Sequence, residues 1–177
     1  MDTLSNIRYP RKFILVVSPD PAHAAITELI ARLALHGSLY VLAGSDWLPV
    51  YQLAHLIRRS APAVKQTLRH VRTARAFTCY QLLDLIANIR PDEEPLLLPD
   101  FLHSFQDDDI PLQVRFRVLR QCCDHLGRLA MRKTVVVFAQ ELPTENNMAF
   151  LSILAESADE TLRCEAEPEW VRQPALL

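Results

Sequence analysis

The chain has 177 residues, 50% apolar and 23% charged, with a formal net charge of −2; a single domain of this length buries about 70% of the surface its unfolded chain exposes. This composition excludes a disordered or collagen-like chain, and no apolar run reaches the roughly 18 residues that a bilayer span requires. Met1-Asp2-Thr3-Leu4-Ser5-Asn6 carries an early acid and no apolar segment precedes Phe13, so no secretory leader, no membrane partner and a cytoplasmic location are expected.

Lys12 to Val17 is a continuous apolar run rich in β-formers, the mark of a strand covered on both faces. Asp20 followed by Pro21 reads as an N-cap with proline at the first helical position, opening a helix that runs to His36 and closes at Gly37. Leu39 to Ala43 is a second strand, and Val50 to Arg59 an amphipathic helix after the break at Gly44-Ser45-Asp46. Val71 to Phe77 is a further strand, Tyr80 to Ile89 a helix, Leu96 to Leu98 a strand, Gln113 to Met131 a long helix, and Thr134 to Ala139 a strand. Glu141 to Asn147 reads as a loop, and Met148 to Ala166 as a weak segment with a short helix and an edge strand. Strands alternating with helices predict an α/β domain with a mostly parallel central sheet flanked by helices. Its core is expected over 12–167, between a tail at 1–11 and another at 168–177. Ligands in such sheets sit beyond the carboxyl ends of the strands, so the loops after Val17, Ala43, Leu98 and Ala139 are where function is sought.

The charges are unevenly placed. Arg58, Arg59, Lys65, Arg69, Arg72 and Arg75 follow one another without an intervening acid, whereas acids gather at Asp92-Glu93-Glu94, Asp107-Asp108-Asp109 and from Glu156 to Glu169. The basic run is a candidate DNA-binding track through phosphate neutralisation, weighed against a solvated helix face. No aromatic interleaves the charges, which disfavours base stacking. Cys79, Cys122, Cys123 and Cys164 lack metal-ligand spacing, as do the scattered histidines. The acidic triplet is expected to be a turn and not an ion site, and Phe101, Phe105, Phe116 and Phe150 to be core or core-edge rings. No metal role is assigned.

Three segments, in this order, carry a family likeness: Ala74-Arg75-Ala76-Phe77-Thr78, Pro95-Leu96-Leu97-Leu98-Pro99-Asp100, and Val135-Val136-Val137-Phe138-Ala139-Gln140. Together they resemble the ATPase core of RecA-type recombinases, which implies a single RecA-like P-loop NTPase-type domain over about Lys12 to Ala166. The resemblance places Asp100 where the family's Walker B acid helps hold Mg²⁺, and Gln140 where its γ-phosphate sensor stands. Ser45, with Asp46 next to it, falls where those recombinases carry the glutamate that activates water.

The phosphate loop implied by the resemblance reads Ser18-Pro19-Asp20-Pro21-Ala22-His23-Ala24-Ala25. A P-loop needs glycines, free backbone N–H groups, a lysine and a hydroxyl. Here Ser18 and His23 replace the glycines, two prolines remove donors, and Ala24 and Ala25 replace lysine and hydroxyl. Asp20, as the expected N-cap, would also set a negative charge on the helix terminus. ATP and Mg²⁺ binding are therefore expected to be lost, leaving no cofactor and no ATPase. The first eleven residues hold no Phe-x-x-Ala-like peptide, so no self-built filament is expected. The resemblance implies an accessory role in DNA recombination or repair, with DNA, a RecA-type recombinase or paralogue, or a second copy of the chain as partner. The alternatives are a residual NTPase using Asp100, Gln140 and Asp46, and a protein-interaction scaffold unrelated to DNA.

Overall fold

The computed structural model describes residues 11–92 and 94–164. The expected tails, apart from Arg11, and the end of the expected core at 165–167 lie outside the described residues. The chain forms β1 (Phe13–Ser18), α1 (His23–His36), β2 (Leu39–Ala43), α2 (Val50–Ser60), α3 (Val64–Leu68), β3 (Val71–Arg75) and α4 (Cys79–Ala87). There follow β4 (Leu96–Leu98), a 3-10 helix (Phe101–Phe105), α5 (Leu112–Ala130), β5 (Val135–Gln140), α6 (Glu145–Ser157) and β6 (Glu160–Arg163).

The strands make one six-stranded sheet in the order β3-β2-β4-β5-β1-β6, and every pairing is parallel. Parallel neighbours need long crossovers, so helices must cover the faces. In β1, Ile14 and Val16 pack with Ile26 and Ile30 of α1 and with Leu53 and Ile57 of α2. Phe13, Leu15 and Val17 point the other way, into a core shared with Leu82 of α4, Leu119 and Leu126 of α5, and Leu154 of α6. The chain winds toward β3 with α1, α2 and α3 on one face and returns toward β6 with α4, α5 and α6 on the other, as right-handed crossovers dictate. Phe101, Phe105 and Phe150 are buried and Phe116 packs at the core edge, each ring 4.9–5.9 Å from the next. The edge strands β3 and β6 are largely exposed and carry charged side chains, which discourages further strand pairing.

Several local expectations need correction. Asp20 does not cap α1: the N-cap is Ala22, without a side-chain bond, and the first helical residue is His23. Pro21 biases the preceding Asp20 away from helical backbone, so the two prolines delay the helix. The third strand stops at Arg75, because Thr78 caps α4 by accepting from the Gln81 amide (3.3 Å). Helix α3 was not anticipated. The stretch after Asp100 is partly a 3-10 helix, and Thr144 caps α6 by accepting from Asn147 N–H (3.3 Å), so the expected loop at 141–147 is shorter. Pro99 lies just past β4, where it needs no ladder donor; its carbonyl accepts from Gly44 N–H (3.0 Å).

Candidate functional site

All strands run in one direction, so the segments after β1, β2, β4 and β5 meet at a single edge of the sheet. Asp100 stands there with φ 49 and ψ 38, the left-handed region, and among the described residues it alone combines a side chain with positive φ. Aspartate tolerates this conformation better than most residues. Its position is fixed by close approach: a Cβ on Gly44 would sit 2.4 Å from the Asp100 carbonyl oxygen. The buried Ser104 hydroxyl donates to Gly44 O (3.2 Å) and lies 3.4 Å from Ala76 O, joining the turns after β2, β3 and β4.

The Asp100 carboxylate gathers two donors. His23 Nε2 is 3.2 Å from Oδ1 and 3.0 Å from Oδ2; a carboxylate only accepts, so the ring supplies the proton. Ser45 Oγ donates to Oδ2 at 2.5 Å, and in turn accepts from Trp47 N–H at 3.3 Å. The Trp47 ring stacks on His23, centroids 4.2 Å apart and 14° from parallel. The His23 and Asp100 side chains are 35% and 20% exposed, so solvent only partly screens the pair.

The remaining expected nucleotide-edge residues are engaged close by. Ser18 ends β1, buried, with Oγ donating to Asp20 O (2.6 Å). Asp20 is half-buried, and Ala24 and Ala25 occupy the first turn of α1 without charge or hydroxyl. Asp46 forms an ion pair with Arg75, whose guanidinium lies 5.6 Å from the Phe77 ring centroid. Gln140 Nε2 donates to Pro19 O (3.2 Å), and Glu141 beyond it pairs with Arg163 at 3.0 Å. The sequence therefore locates Ser45, Asp100, His23 and Gln140 at one edge, but gives no sign that Asp100, Ser45 and His23 bond one another. Trp47, Gly44 and Ser104 were missed, since their roles depend on contacts between segments distant in the chain.

The six candidate DNA-binding residues are not brought together as one track. Arg75 is at the carboxyl edge with Asp46, and Arg72 pairs with Glu94 (2.9 Å) beside the Tyr40 ring. Arg58, Arg59, Lys65 and Arg69 lie at or near the ends of α2 and α3. Among the described residues, no group of three or more His, Cys, Asp or Glu side chains converges in a way that could hold a metal. The acidic triplet is a turn in which Asp107 Oδ1 accepts from Asp109 N–H (3.0 Å) and Asp108 pairs with Arg115 (3.3 Å). Cys79, Cys122 and Cys123 are buried free thiols, and that burial pushes all three up from the ordinary thiol range. Among the described residues no helix is long and apolar enough to cross a membrane. No family model matches the chain, and no curated protein matches it.

Proposed function

We propose that this chain is a RecA-like module that has given up ATP hydrolysis and works by binding, as an accessory component of DNA recombination or repair. One observation carries the silence: the Asp100 carboxylate, which the resemblance assigns to the Mg²⁺ position, is taken up by His23 and Ser45. A nucleotide-bound Mg²⁺ or its water shell would compete with both donors for this carboxylate. Pro19 and Pro21 offer no amide to phosphate, and Ala24 offers no cation. Asp46, the other acid a residual hydrolase would use, is occupied by Arg75.

The recombination context comes from the resemblance and not from the site chemistry. Titration calorimetry with ATP and Mg²⁺ tests the silence: no heat is expected, and micromolar binding would overturn it. Affinity purification from the native host tests the context, a recovered recombinase-type subunit being the expected result and its absence the contrary one. The exposed Tyr51, Phe77 and Tyr80 favour a second reading, an interaction scaffold unrelated to DNA, because exposed aromatics concentrate at protein interfaces. Recovery of partners without a nucleic-acid role would support that second reading.

A further inference from the structure

At the opposite edge of the sheet from Asp100 the molecule carries an uncompensated basic corner. Helix α2 leaves the carboxyl end of β2 and runs back along the sheet, so Arg58 and Arg59 in its last turn reach the amino edge. Lys65 lies in α3, and Arg69 follows as its C-cap residue. His70 ties this corner to its surroundings: its ring bonds Ala34 O (2.8 Å) near the end of α1, and its carbonyl accepts from Leu39 N–H (2.9 Å) at the start of β2. All four cations are exposed.

No Asp or Glu occurs between Asp46 and Asp84, so α2, α3 and β3 supply no counter-charge of their own. Arg72 and Arg75 find theirs in Glu94 and Asp46. Among the described residues, Arg58, Arg59, Lys65 and Arg69 have no such ion pair. Part of the charge at the last turn of α2 offsets the helix dipole, worth typically 0.3–1 kcal/mol per cation; four cations in one corner exceed that need.

The chemistry of the corner selects its partner. Leu53 and Ile57 of α2 are buried and Val64 and Leu68 of α3 pack partly buried against the same core, so neither the last turn of α2 nor α3 offers an exposed large apolar side chain to enter a lipid surface, as an interfacial helix would require. No Phe, Tyr or Trp lies between Tyr51 and Phe77, so unpaired bases have no large ring to stack on here. What remains is charge directed at regularly spaced phosphates.

We propose that the Arg58–Arg59–Lys65–Arg69 corner binds the sugar-phosphate backbone of double-stranded nucleic acid without reading its sequence. This names the partner for the binding role proposed above and rests on that role, but not on the silence of the nucleotide edge. Fluorescence anisotropy with DNA duplexes of unrelated sequence, the matching single strand and phosphatidylserine vesicles tests it. Four phosphate contacts predict that log K falls against log salt with a slope of up to about −3.6, equal for the different duplexes. Arg58→Glu with Arg59→Glu should weaken duplex binding at least ~10-fold at about 0.1 M salt, since each neutralised phosphate is worth roughly 8-fold there. Arg117→Glu with Arg120→Glu, exposed on α5 across the sheet, makes the same change in net charge and should leave affinity within about 2-fold if the contact is local. Circular dichroism verifies that both variants fold. The proposal fails if duplex is not bound at low salt, if the α5 variant loses as much affinity, if the single strand binds more tightly, or if only vesicles bind. Loss of duplex binding without ATP binding would remove the partner alone; ATP binding with intact duplex binding would remove the silence alone.

Discussion

Gly44→Ala introduces one methyl group at the tightest point of the candidate site. The added Cβ would meet the Asp100 carbonyl oxygen at 2.4 Å and its carbon at 3.1 Å. Both are backbone atoms, and the Gly44 amide is held to Pro99 O (3.0 Å) while its carbonyl is held by Ser104. Neither side can yield without breaking these bonds. Overpacking of this kind costs about 1–3 kcal/mol, and for a chain of this length each kcal/mol lowers Tm by about 2–4 °C. Gly127→Ala is the counterpart: it lies inside α5 with open space around the new methyl, so removing glycine's backbone freedom should stabilise by about 0.5–1 kcal/mol. Urea and thermal unfolding of both variants, in a Trp170→Phe background that leaves Trp47 as the fluorophore, provide the measurement. Gly44→Ala should also shift the native Trp47 emission, because moving Asp100 disturbs the His23 ring on which Trp47 stacks. Stability within about 0.5 kcal/mol of the parent, the range of an inert surface change, with unaltered emission, would refute the close approach.

Two further outcomes follow from buried groups. The Lys133 side chain is 1% exposed and bonded to Asp92 at 2.5 Å, so Asp92→Asn should cost about 1.5–3 kcal/mol by weakening a charge-assisted bond to a buried ammonium; Glu160→Gln, which removes the exposed partner of Lys12, should cost under about 1 kcal/mol. Urea midpoints that rank the two the other way would refute the assignment. Burial raises the Cys79, Cys122 and Cys123 thiols above their ordinary value of 9.0. The unfolded chain then releases thiol protons that the folded chain retains, so this contribution is full below that ordinary value and declines as pH rises through it. Stability should fall less steeply from about pH 8 to 10 in Cys122→Ala than in the parent, and equal slopes would exclude the buried thiol as a cause.

Much of the fold is legible in the chain. Continuous apolar runs at Phe13–Val17 and Val135–Ala139, separated by helices with an apolar stripe, admit a buried parallel sheet and little else. Local chemistry was less readable. The Asp20-Pro21 pair resembles a helix start, yet the chain bends at Pro19 and Asp20 and the N-cap falls to Ala22. Thr78 and Thr144 carry cap signals that were overshadowed by the neighbouring apolar pattern.

At the site, sequence order supplied the positions of Asp100, Ser45, His23 and Gln140 at strand ends, because parallel strands bring successive carboxyl ends to one edge whatever the side chains are. Composition likewise determined that α2, α3 and β3 lack acids. Tertiary structure decided which polar groups satisfy one another: His23 and Asp100 are 77 residues apart, and their bond depends on a left-handed turn and on a glycine in another strand's loop. It also decided that the basic run divides between the two edges, since a crossover helix carries its last turn the full length of the sheet from its first. Periodicity is a local property that one segment can encode, whereas a hydrogen bond between distant loops exists only once packing has fixed where both backbones lie.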